Sequence, residues 1–297
     1  MPIHELAALV AAASWALTGI VSTAPSRALG AMGFVRLRMG IVFVGLALAA
    51  TVLGGWASLT APMVLPILLS GAIGIFVGDT ALFATMNRLG PRATGLLFAA
   101  NAPIAAVLGW VVLGETLVAL ALGGIALSFA GVLLAVAYGR RSHDGGNWLE
   151  AVRGPLWVGV ALGLLAAAAQ AVGTLLARPV MAAGADPIAV SALRCLIAAA
   201  ALQGLALGVP AARLAAPLTW RLVGIVALSG FLAMGVGMTL LLFALEDGKV
   251  GIVSTLSATT PVMILPLLWY ATGRSPAPAA WVGAALTVAG AALIFAR

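Results

Sequence analysis

Apolar runs of about twenty residues, each closed by glycine, proline or an isolated charge, follow one another along the whole 297-residue chain. A helix rises about 1.5 Å per residue, so about twenty apolar residues match the roughly 30 Å hydrocarbon core of a bilayer. A water-soluble fold could not cover this much apolar surface: 63% of the residues are hydrophobic and 8% are charged. Soluble domains run near 25% charged. An ordinary cytosolic enzyme and a nucleic-acid module are therefore excluded. The runs lack two-residue alternation, so helices and not barrel strands are expected to span. The expected fold is an all-α integral membrane protein with ten transmembrane helices, at roughly 4–24, 32–53, 62–87, 93–113, 118–138, 155–177, 187–208, 218–245, 250–272 and 278–296. The first run is too long for a signal-peptide core and no basic stretch precedes it, so it reads as a membrane helix.

The formal net charge is +7, from 15 Lys and Arg against 8 Asp and Glu. In a membrane chain the arginines set orientation. The odd-numbered loops and their edges hold Arg27, Arg36, Arg38, Arg88, Arg92, Arg140, Arg141, Arg153, Arg213, Arg221 and Arg274. The even side holds Arg178, Arg194, Lys249 and Arg297. This bias places the odd loops in the cytoplasm and both termini outside. Arg38 and Arg194 sit a few residues inside their spans, where long side chains snorkel to headgroups or meet a facing helix end. Glu115 reads as a solvated loop charge, and Trp56, Trp148 and Trp157 as interface anchors. The single cysteine, Cys195, excludes a disulfide framework and a Cys-rich metal site.

The two halves repeat. Gly124-x-x-Leu127-x-x-Ala130-Gly131 returns 159 residues later as Gly283-x-x-Leu286-x-x-Ala289-Gly290, and Gly90 and Pro103 match Gly248 and Pro261 at an offset of 158. Arg38 and Arg194 are 156 apart. The expected division is 1–138, a polar linker at 139–154, and 155–297. Five spans per copy is an odd number, so the second copy enters from the opposite face. Inverted repeats of this kind surround a midplane cavity in secondary transporters.

Ser14-Trp15-Ala16, Arg38, Asn101-Ala102-Pro103, Leu113-Gly114-Glu115 and the closing Gly-x-x-Leu-x-x-Ala-Gly together resemble the drug/metabolite transporter superfamily, in its EamA branch. Within it the chain looks most like aromatic amino acid exporters of the YddG type. The resemblance covers essentially the whole chain and implies export of a small metabolite, such as an amino acid, across the cell inner membrane. It implies a monomer and no cofactor. Members of the family are drawn with cytoplasmic termini, which conflicts with the arginine bias. The second copy carries no acid matching Glu115.

Candidate cavity residues follow from polarity inside apolar spans. Asp79 is the carboxylate set deep in a span, where charge is costly and faces the bundle interior. It reads as a contact for a substrate amine, a proton-coupling site or a structural hydrogen bond. Ile75, Phe83 and Met86 share its helical face, and Gly237 stands at the matching place in the second copy. Asn101 precedes Pro103, which frees a backbone carbonyl one turn back near Ala99. It either repairs that kink or orients a zwitterion. Ser14, Trp15 and Thr18 in the first span and Gln170 and Thr174 in the sixth form matching polar patches. In the ninth span Ser254 with Ser257 and Thr255 with Thr259 form stripes. Serine and threonine also bond their own helix backbone.

Catalytic signatures are missing. His4-Glu5 is not a zinc-protease helix, Gly235-x-Gly237 lacks a third glycine, and no phosphate-binding loop occurs. His143 lies in the linker with no second ligand nearby. A lipophilic-cation exporter with Asp79 as cation partner, a membrane-embedded enzyme and a channel are the competing readings.

Overall fold

A computed structural model describes residues 3–113, 119–138, 152–238 and 258–295, with positions 149, 240, 241, 244 and 256 besides. The chain is helical, with no strand among the described residues. Its helices are α1 (Ile3–Val21), α2 (Thr23–Leu29), α3 (Ala31–Val52), α4 (Ala61–Ser70), α5 (Gly78–Phe98), α6 (Asn101–Leu113), α7 (Ala119–Tyr138), α8 (Leu156–Ala182), α9 (Pro187–Gly208), α10 (Trp220–Gly230), α11 (Thr260–Thr272) and α12 (Pro278–Phe295). Two π-helical segments continue α4 and α10, at Gly71–Val77 and Phe231–Met238. Seven apolar stretches are long enough to cross a membrane, and three shorter apolar helices lie at 101–112, 260–272 and 278–294. Leu48, Val52, Leu133 and Leu207 are exposed on the outside of the bundle. In water that surface would drive association. In lipid it is the expected exterior.

The stretch Ala61–Phe98 counts as one of the seven, but its 38 residues are not one crossing. A helix of that length would run about 57 Å, well beyond a bilayer. Gly90 has φ 81° and ψ 170°, a conformation that only glycine adopts without strain. Along α8, Gly173 lies against Gly74, Ala169 against Gly78 and Gly159 against Leu89. After Gly90 the direction reverses, and Leu97 returns to Gly163. Gly90 is therefore the turn between two antiparallel segments. The small residues of α8 let both segments approach its backbone. The expected boundary near 88–92 holds here.

The most extensive helix contact joins α7 to α12, followed by α3 with α9 and α5 with α8. A Cβ on Gly124 would lie 2.6 Å from the Gly290 carbonyl oxygen, and one on Gly131 would lie 2.6 Å from that of Gly283. The order of these contacts makes α7 and α12 antiparallel. Ser128 and Thr287 meet between the two glycine pairs, where Ser128 Oγ donates to the Thr287 carbonyl at 3.2 Å.

Three arginines read as loop-edge or snorkelling charges are buried. Arg38, Arg92 and Arg194 are 2%, 2% and 9% exposed. Arg92 donates to the Ala135 carbonyl at 3.0 Å, in the last turn of α7, where the helix dipole favours a cation. Arg38 and Arg194 cannot snorkel because α3 and α9 pack against each other and against the π segments there. With these three removed, the arginine excess still falls on the odd loops.

Candidate functional site

The buried charges gather where α3, α9 and the first π segment meet. Arg38 Nη1 donates to Asp79 Oδ2 at 3.3 Å, and Nη2 donates to the Ser229 carbonyl at 3.4 Å. The Arg38 guanidinium also stacks over Phe83, 5.1 Å from the ring centroid, with Phe34 at 6.0 Å. Phe34 and Phe83 pack edge to face at 4.6 Å. A guanidinium removed from water is stabilised by such aromatic faces as well as by its carboxylate. The helical face Ile75, Asp79, Phe83 and Met86 is buried throughout.

Arg194 completes the cluster from the other half of the chain. Its Nη2 would lie 3.2 Å from a Cβ on Gly74, five residues before Asp79. Two corresponding contacts hold the arginines. Arg38 packs on Gly230, and Arg194 packs on Gly71, where a Cβ would lie 2.8 Å from its backbone. Ser70-Gly71 and Ser229-Gly230 stand at the entry of the two π segments. Each arginine thus rests on the serine-glycine step of the opposite half. Asp79 has no acidic counterpart, so one buried carboxylate, paired with Arg38, stands against two buried guanidinium groups in this region. π-Helical turns inside α-helices are often found at functional sites because their wider register loosens the backbone ladder.

The other expected residues are spread more widely. Ser14 Oγ donates to the Leu232 carbonyl at 2.7 Å and Trp15 Nε1 to that of Ala233 at 3.0 Å. Both seal α1 against the second π segment. Ser70 Oγ makes the corresponding bond to the Gly173 carbonyl of α8, at 2.6 Å. Thr18 bonds its own helix at Ser14 O, 2.8 Å away. Gln170 is half-buried and Thr174 is exposed. Thr255 and Ser257 lie outside the described residues, as do Glu115, His143, Trp148 and Ser254.

Asn101 Nδ2 donates to the Phe98 carbonyl at 2.7 Å. Thr259 Oγ1 donates to the Leu256 carbonyl at 2.6 Å. Both pairs span three residues, and both lie just before a proline, Pro103 and Pro261. The freed carbonyl expected near Ala99 instead accepts from the Ala102 amide at 3.3 Å. These bonds are the kink repair at the starts of α6 and α11.

A cleft of about 420 Å³ opens at the end where α3 begins, lined by residues including Gly30, Met32, Thr80, Ala84 and Arg213. Thr80 follows Asp79 directly, and its buried hydroxyl has no hydrogen-bond partner. Nothing in the sequence singles out Thr80, and there the two arginines fit snorkelling or a facing helix end as well as a buried cluster. The 156-residue spacing of Arg38 and Arg194, both inside apolar runs, was the signal that they belong together.

An all-helical bundle with an apolar outward surface and charges buried inside it is a multi-pass membrane protein. The chain belongs to the EamA-like transporter family, whose model matches residues 3–137 and again 157–296. It is thus a membrane transporter of the drug/metabolite superfamily with two EamA domains. Sixteen solved chains match it. One crystal structure is 18% identical, aligns with a TM-score of 0.69, and is covered over 95% of its length by 98% of this chain. At that identity the likeness shows the fold alone. No curated protein matches the chain.

Proposed function

We propose that the chain is a ten-span secondary transporter of the inner membrane that exports small metabolites, most of all amino acids, by alternating access. On this reading 1–138 and 155–297 are two inverted five-helix repeats joined by the linker 139–154. The observation that carries it is the α7–α12 pairing. Gly124 and Gly283 are 159 apart, as are Ser128 and Thr287, and Gly131 and Gly290. Exchanging each residue for its counterpart turns the Gly124–Gly290 contact into the Gly283–Gly131 contact, with Ser128 and Thr287 at the exchange point. Antiparallel helices with that property are related by a two-fold axis across the helix direction, the relation of an inverted repeat.

Two inverted halves have two near-equivalent packings, each open to one side. The π segments, the kinks before Pro103 and Pro261 and the turn at Gly90 are the places where such packings can exchange with the least backbone strain. Ser14, Trp15, Gln170 and Asn101 would border the path at its centre. Aromatic or neutral amino acids are favoured by the resemblance to YddG-type exporters. The chain acts as a monomer on this reading, its two halves supplying both walls. The rival reading, an exporter of lipophilic cations held by Asp79, is weakened because that carboxylate already pairs with Arg38.

Counterflow in proteoliposomes tests the proposal. Vesicles loaded with unlabelled L-phenylalanine should accumulate the labelled amino acid saturably, and trans-loading should accelerate entry. Flux of tetraphenylphosphonium without any amino acid flux would reject the amino acid reading. Unsaturable flux without counterflow would point to a channel.

A further inference from the structure

The buried cluster is not electrically matched. Arg38 and Arg194 bring two positive charges and Asp79 one negative charge, and one Asp79 oxygen, Oδ2, is taken by Arg38 at 3.3 Å. Arg194 is 9% exposed, and its buried Nε has no hydrogen-bond partner. An uncompensated guanidinium in the interior of a membrane protein is expensive to keep. Its flat fork of N–H donors is suited to a carboxylate, which it can hold through two parallel bonds.

The surroundings of Arg194 allow a guest to reach it. Gly74 and Gly173 meet beside the guanidinium with no side chain between them. A Cβ on Gly74 would stand 3.2 Å from both Arg194 Nη2 and Gly173 Cα. The cover over the guanidinium on that side is thus bare backbone of α8 and of the Gly71–Val77 segment. Sliding these two apart, with release of the Ser70 Oγ–Gly173 carbonyl bond, uncovers the charge. The cleft of about 420 Å³ is lined in part by Thr80, which follows Asp79 in the chain and has a buried hydroxyl that lacks a partner.

We infer that Arg194 anchors the carboxylate of the carried solute, with the Arg38–Asp79 pair as its charge-neutral neighbour and Thr80 on the approach. This rests on the transport reading and narrows it: the carried solute presents one negative group, and a solute without one is rejected. The amino group of an amino acid is tolerated and is not the feature recognised.

The test uses purified protein in detergent and in proteoliposomes. The probes are L-alanine, L-leucine and L-phenylalanine, each beside its amide, which lacks the carboxylate, and its deaminated acid, which lacks the amine. For at least one side chain, the amino acid and the deaminated acid should both raise the unfolding temperature and inhibit counterflow. The matching amide should be weaker by about tenfold or more, as for a site left with an unpaired polar group. Arg194→Gln should abolish that preference and Arg194→Lys should keep part of it. If Arg194→Gln does not fold, the wild-type series still decides.

An amide that binds as well as its acid would overturn the inference, and so would a folded Arg194→Gln protein that still prefers the acid. A shift produced equally by chloride would also overturn it, since any small anion would then serve. Absence of an effect from every acid would do the same. Counterflow of deaminated acids without amino acids would support the anchor and reject the amino acid reading, so the two failures are distinct.

Discussion

Arg38 Nη1 stands 3.3 Å from Asp79 Oδ2, and both side chains are buried between α3 and α5. Removing one member of a buried pair strands the other charge, at a cost of about 3–5 kcal/mol. Arg38→Ala and Asp79→Ala should each lower the unfolding temperature in detergent by that much stability. Arg38→Met combined with Asp79→Leu should recover part of the loss, because neither member of the pair is then stranded, while Arg194 keeps its charge. Asp79→Asn keeps the shape and serves to test coupling. If Asp79 carries a proton during transport, this variant should lose accumulation driven by a pH gradient while retaining counterflow.

The α7–α12 contact admits no side chain at its glycines. A Cβ on Gly131 would meet the Gly283 carbonyl oxygen at 2.6 Å and the Thr287 amide nitrogen at 2.7 Å. Gly131→Val should cost about 1–3 kcal/mol or more through overpacking. Gly123 lies on the same helix with nothing within 4 Å of a Cβ. Gly123→Val should therefore leave the thermal midpoint close to wild type.

Asn101 and Thr259 each hold a carbonyl three residues upstream, in corresponding breaks of the two halves. A side-chain hydrogen bond contributes about 0.5–1.5 kcal/mol net. Asn101→Leu and Thr259→Val should each cost about that much stability. Initial rates of counterflow should fall further than stability does, since each bond fixes the bend at which α6 or α11 starts. Equal rates in wild type and both variants would reduce the bends to packing.

Orientation is open to a chemical readout because Cys195 is the one cysteine of the chain and is fully buried. A membrane-impermeant maleimide should leave the wild-type protein unlabelled in intact cells. The arginine bias puts the loop holding Ala57 outside and the loop holding Leu218 in the cytoplasm. Ala57→Cys should then label in intact cells, and Leu218→Cys should label only after the cells are opened. The reverse result would place both termini in the cytoplasm.

Much of the architecture was legible from local pattern. The apolar runs, their breaks at Gly54, Gly90 and Gly273, and the repeated Gly124 and Gly283 motifs needed only the length of a bilayer and the sterics of glycine. The site was less legible. Asp79 stood out because a carboxylate is rare inside an apolar run. Its partner Arg38 was read as a snorkelling side chain, since distance from a span's end does not reveal what the helix faces. Nothing in the sequence singles out Ser70 and Ser229, since a serine in an apolar helix commonly bonds its own backbone. The two π segments left no compositional mark, because their register is set by the helices pressed against them.

The sequence by itself determined that this chain lives in lipid, that it is helical, and that its halves repeat, because each follows from hydropathy and spacing along one strand of residues. Tertiary structure alone decided that Arg38 pairs with Asp79 and that Arg194, from the opposite half, is buried against the first π segment. The physical reason is that burial of a charge depends on which faces of α3, α9 and the π segments meet, and that choice is made by close packing at glycines distant in the chain.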